Sequence, residues 1–109
     1  MKIFFRNKKL ERLCLDKKAA NKEFGANAAK GLMSRFADLE AAVTVNDLVV
    51  GNPHPLKGSR SGQLAITVYR GIRLTFSPAD DPAPKTEDGS IDWHSVTSIR
   101  IEFIGDYHD

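Results

Sequence analysis

Apolar residues recur along the chain with two different periods, and the change falls near its middle. Phe24, Ala28, Leu32, Phe36, Leu39 and Val43 are spaced by 4, 4, 4, 3 and 4 residues, which is helical period and predicts a helix over residues 22–42. Gly25 and Gly31 weaken it by ~1 kcal/mol each relative to Ala, while letting it lie close to a neighbour. Ahead of it, Asn7 is placed to cap a first helix over residues 8–18. Leu10, Leu13 and Cys14 share one face of that helix, and Lys8, Lys9 and Arg12 the other. Ile3, Phe4 and Phe5 form a short apolar run that reads as a strand.

Thr44-Val45-Asn46-Asp47 has the spacing of a capping box and predicts one short helical turn. The segment from Gly51 to Gly58 then reads as a loop too rich in Pro and Gly for regular structure. After it the period becomes two. Leu64, Ile66 and Val68 alternate with polar or small residues, Arg70-Gly71 marks a tight turn, and Ile72, Leu74 and Phe76 alternate with Arg73 and Thr75. Arg73 must then point to the sheet face opposite its apolar neighbours. Residues 77–95, with Pro78, Pro82, Pro84, five acids and an Asp88-Gly89 turn signal, read as an exposed excursion. Ile99, Ile101 and Phe103 alternate in a last strand. The predicted order is β-α-α-β-β-β, an α+β domain over residues 1–109 whose mostly antiparallel sheet is packed by two N-terminal helices.

Composition narrows the class. With 109 residues, 41% of them hydrophobic, the chain suits one core and is not disordered throughout. The single cysteine, Cys14, excludes a disulfide framework and a Cys-based zinc site, and fits a reducing compartment. Met1 to Arg6 is too briefly apolar for a signal peptide, and no run approaches the ~20 residues of a membrane span, so a cytoplasmic protein without membrane contact is expected. The net charge of +2 conceals a division: residues 1–75 carry +8 and residues 76–109 carry −6. A basic body of this kind suits a polyanionic partner.

Common catalytic motifs are absent: there is no phosphate-binding Gly loop, no HExxH and no GxSxG. His54, His94 and His108 are too scattered to argue for a metal. Two polar clusters remain, His54-Pro55-Leu56-Lys57-Gly58 and the tail Asp106-Tyr107-His108, with Arg73 between them in sequence. His, Lys, Arg and Tyr together suit metal-free phosphodiester cleavage in RNA. A base takes the 2′-OH proton, cations stabilise the phosphoryl oxygens, and an acid protonates the leaving 5′ oxygen. Each residue also has an ordinary reading: a loop histidine bonded to backbone, a surface ion-pair partner, a frayed terminus.

In this order, the His54-Pro55-Leu56-Lys57-Gly58 segment, the hairpin Gly62–Val68 and Ile72–Phe76, and the ending Asp106-Tyr107-His108 resemble HigB-type toxins of the RelE/ParE superfamily, the killer proteins of type II toxin–antitoxin systems. The resemblance covers nearly the whole chain apart from residues 77–95. It implies a RelE-like fold and a ribosome-dependent endoribonuclease, an mRNA interferase that cuts in the A site without metal or cofactor. It implies catalytic roles for His54, Lys57, Arg73, Asp106, Tyr107 and His108, with Lys57 and Arg73 on the phosphate and His54, Tyr107 and His108 sharing acid–base duty. Lys8, Lys9, Arg12 and Arg60 would meet ribosomal RNA phosphates. The implied partners are the ribosome, mRNA and a HigA-like helix-turn-helix antitoxin, with operator DNA bound only through that antitoxin. The chain departs from the pattern at Ile72, where a Trp is common, at Gly71, where an amide is common, and at Gln63 and Leu64, where an aromatic is common. Other functions implied on this fold are a catalytically weak antitoxin-binding co-regulator and a ParE-like gyrase inhibitor. The acidic excursion would be an insertion, an extension of the antitoxin interface or an acidic mimic folded over the basic site.

Overall fold

The two apolar periods become two layers in the computed structural model, which describes residues 1–107. Five strands form one sheet: β1 (Lys2–Phe5), β2 (His54–Pro55), β3 (Leu64–Tyr69), β4 (Ile72–Pro78) and β5 (Ser98–Gly105). Their order is β1-β5-β4-β3-β2, antiparallel except for the parallel β1–β5 pair. The helices α1 (Lys8–Leu15), α2 (Lys17–Phe24) and α3 (Ala26–Ala41) cover one face. Leu32, Leu39, Ile66, Leu74, Phe76, Ile99 and Ile101 are fully buried between the layers. The α+β class and the mostly antiparallel sheet agree with the sequence reading.

The helices number three instead of two. Asn7 caps α1 as expected, its Oδ1 accepting from the Leu10 N–H at 2.9 Å. The helix nevertheless stops at Leu15, because Asp16 turns out of helical geometry and its Oδ1 caps α2 through the Lys18 N–H at 3.0 Å. The predicted helix over 22–42 is broken at Gly25, whose φ of 90° only glycine adopts without strain. Val43, assigned to the core stripe, lies beyond the end of α3 and is 74% exposed. Gly31 does admit a close neighbour: a Cβ there would lie 2.4 Å from the Val68 carbonyl oxygen.

The Pro-Gly loop also yields regular structure. His54 pairs with Ala65 and Pro55 with Leu64, and the Leu56 N–H donates to the Gln63 carbonyl at 2.9 Å. Pro55 is tolerated because it sits on the sheet edge with its missing N–H directed away from β3. In β5 the register shifts by one at Glu102: Ile101 pairs with Phe76, but Phe103 pairs with Thr75 and Ile104 with Leu74. This bulge carries Phe103 off the core face and puts Ile104 there in its place, which corrects the simple alternation read for this strand. Glu102 is only 8% exposed, and its carboxylate is satisfied by Ser77 Oγ at 2.6 Å and Arg100 Nε at 2.9 Å.

The excursion is tied to the body. Its first residues, Ser77 and Pro78, still belong to β4. Trp93 meets Phe76 edge-on at 6.0 Å, and Val96 is fully buried. Two of its acids serve its own turns and a third, Asp80, ties it to the start of β5. Asp80 accepts from Thr97 and Ser98, Asp88 from Thr86 and the Ser90 N–H, and Asp92 from Ser95 at 2.8 Å. The local acidity is therefore in large part the loop's own hydrogen-bonding chemistry.

Candidate active site on the open face of the sheet

Strand register places two of the sequence-predicted residues, His54 and Arg73, on the face that the helices leave uncovered. His54, Ala65, Thr75 and Phe103 form one row across β2, β3, β4 and β5, and Thr67, Arg73 and Gly105 form the next. From a strand spacing of ~4.8 Å and ~6.8 Å per two residues, the His54 and Arg73 Cα atoms are about 12 Å apart. The residues between them are small. Ala65 and Thr75 are fully buried as the floor, and the Thr75 hydroxyl donates to Gln63 Oε1 at 2.9 Å. A histidine and an arginine thus stand on the same sheet face, two strands apart, on either side of small residues.

The His54 ring is fixed by a 2.9 Å hydrogen bond between Nδ1 and the Asn52 carbonyl. A carbonyl only accepts, so Nδ1 carries the hydrogen and the neutral ring keeps its lone pair on Nε2. Asn52 reaches that position with a φ of 51°, in the left-handed region that asparagine tolerates. Arg73 projects from β4 beside the hairpin turn, where its Nη1 donates to the Arg70 carbonyl and, at 3.5 Å, to that of Ile72. Among the described residues it has no carboxylate partner, so its charge remains available to an anion. Asp106 reaches the same turn: a Cβ on Gly71 would lie 2.9 Å from Asp106 Oδ2. Gly71 therefore makes the room that Asp106 occupies. Ile72 faces the other way and packs partly buried against the core.

The tail enters the site through ring contacts. Tyr107 follows the end of β5 and meets Phe103 edge-on, with centroids 6.0 Å apart. The Arg60 guanidinium lies 4.5 Å from the Tyr107 ring centroid and 5.1 Å from that of Phe103. Arg60 thus stands on the open face with the tail, apart from the basic face of α1. On that helix, Lys9 pairs with Glu23 at 3.3 Å and Arg12 with Asp16 at 3.8 Å, and both cations are largely exposed. Lys8 is exposed. Lys57 is exposed at the start of the turn Gly58–Arg60. His108 lies outside the described residues.

Sequence reasoning missed Phe103, Gln63 and Thr75. The signal for Phe103 was present: two adjacent apolar residues, Phe103 and Ile104, after a charged residue in mid-strand mark a shift of phase. Among the described residues no three His, Cys, Asp or Glu are grouped to hold a metal ion, and no helix is long and apolar enough to cross a membrane.

No protein-family model matches the chain, and no curated protein does. Solved structures do. A YoeB/ParE toxin from Agrobacterium tumefaciens superposes with a TM-score of 0.60 at 12% identity, covering 99% of this chain and 100% of its own. A YoeB-YefM complex from Staphylococcus aureus gives 0.58 at 16% identity, covering 100% and 98%. A heterotetrameric YoeB-YefM toxin-antitoxin complex from the same organism gives 0.57 at 16% identity, with the same coverage. At such identities the likeness is one of architecture, and at that level it spans the whole chain: this protein has the fold of the YoeB/ParE toxins.

Proposed function

We propose that this chain is the toxin of a type II toxin–antitoxin pair and acts as a ribosome-dependent mRNA interferase of the HigB kind. One observation carries the reading. His54, its Nδ1 held by a backbone carbonyl, shares an open sheet face with the Arg73 guanidinium and the Asp106-Tyr107 tail. In this reading Nε2 of His54 takes the proton of the 2′-OH, and that oxygen attacks the adjacent phosphorus. Arg73 and Lys57 balance the charge gathering on the phosphoryl oxygens, and Tyr107 or His108 gives a proton to the departing 5′ oxygen. Asp106 holds the tail against the hairpin turn.

The +8 of residues 1–75 favours a ribosomal setting, with Lys8, Lys9 and Arg12 meeting rRNA phosphates. An antitoxin partner is supported by the YoeB-YefM complexes among the structural neighbours; for this chain we assign a HigA-like helix-turn-helix protein, through which the pair would reach operator DNA. Cell extract supplied with the purified chain tests the class. Translation should fall while plasmid supercoiling is unchanged. Loss of supercoiling with translation intact would indicate a ParE-like gyrase poison instead.

A further inference from the structure

Resting on the RNA-cleaving reading, we infer that Arg60 is a positioning residue that holds the Tyr107 ring at the reaction centre. Tyr107 lies beyond the last strand, so no ladder hydrogen bond places its ring. Phe103 meets the ring edge-on at 6.0 Å with the planes 69° apart, and the Arg60 guanidinium lies 4.5 Å from its centroid. The same guanidinium lies 5.1 Å from the Phe103 centroid, so one planar cation is shared by two ring faces.

Both supports are themselves anchored. Phe103 is seated by its pairing with Thr75, on the row that begins at His54. Arg60 closes a turn that Gly58 enters with a φ of 64°. Its N–H donates to the Lys57 carbonyl at 3.2 Å, and its carbonyl accepts from the Gln63 N–H at 3.1 Å. The turn carrying Arg60 therefore connects the two halves of the site, the His54-Lys57 segment on one side and the tail on the other. A guanidinium lying over two rings is placed differently from the exposed lysines and arginine of α1 that suit phosphate contact.

The experiment compares Arg60→Ala and Arg60→Lys with wild type in cleavage of mRNA on ribosomes, with the Tyr107 ring followed by NMR in the free protein. A positioning role predicts a kcat lower by about a hundredfold, the order lost when a reacting group is misplaced by ~1 Å. KM for ribosomes should stay within about twofold, Arg60→Lys should fail to rescue because an ammonium lacks the planar fork, and the Tyr107 ring signals should move in both variants. A raised KM with kcat preserved, rescued by Lys, would overturn the proposal and make Arg60 a phosphate contact. Unmoved Tyr107 signals would overturn it whatever the activity. Should wild type cleave nothing, the RNA-cleaving reading fails, while the ring signals still report separately on whether Arg60 holds Tyr107.

Discussion

A single methyl group at Gly71 would occupy the place of the Asp106 carboxylate, with 2.9 Å to Oδ2 and 3.3 Å to Cγ. The backbone there has an ordinary φ, so the conflict is one of space alone, between the added methyl and a carboxylate carried just beyond β5. Gly71→Ala should therefore displace the Asp106 carboxylate and lower the cleavage rate by about tenfold or more, as the tail shifts from the site. Unaltered cleavage would separate Asp106 from the chemistry. The same position shows what was legible at this scale. Arg73 could be placed by alternation, whereas His54, read as part of a loop, takes its place from the pairing with Ala65. The relation between Gly71 and Asp106 joins residues far apart in sequence and has no local signature. Phe103 differs: its shift of phase is marked locally by the adjacent apolar pair Phe103-Ile104 after Glu102, whose carboxylate accepts from Ser77 and Arg100 at the bulge.

Among the elements, the strands of the hairpin followed from period two, and the helical region followed from period 3.6 except for its divisions. Asp16 and Gly25 divide it because capping and left-handed geometry at one residue outweigh several residues of apolar periodicity. The excursion after β4 is the element that the sequence described least well, since its acids read as a charged surface. They are largely turn ligands, and one of them makes stability depend on pH. Asp80 loses some solvation, which alone would raise its pKa, but hydrogen bonds from Ser98 and Thr97 outweigh this and hold the carboxyl below its usual value. A folded-state value below the unfolded one, ~3.9 for Asp, contributes stability that is present above the unfolded pKa and is lost as pH falls through the folded pKa. Asp80→Asn should lower Tm by roughly 2–5 °C at pH 7, and the difference from wild type should close as pH falls through the acid range below about 4. A difference independent of pH would assign the effect to packing instead of charge.

For the whole molecule, the near-neutral total charge is a sum over dissimilar parts. The basic body carries the helices, most of the hairpin, and His54, Arg60 and Arg73; the acidic final third adds β5, the tail and a loop whose Asp88 and Asp92 serve its own turns while Asp80 binds the start of β5. The fold class was legible because patterning decides which faces are buried. The site was legible in part because small residues and polar residues alternate on the face that the helices leave open. The placement of Arg60 and Phe103 beside the tail depended on a turn and a bulge. The central claim is that this open face cuts mRNA on the ribosome. The direct measurement maps transcript 5′ ends in cells expressing the chain, His54→Ala or Arg73→Ala. Cuts within ribosome-occupied codons should appear with wild type and fall by about a hundredfold or more in each variant. Intact transcripts with wild type, or cuts undiminished by Arg73→Ala, would contradict it.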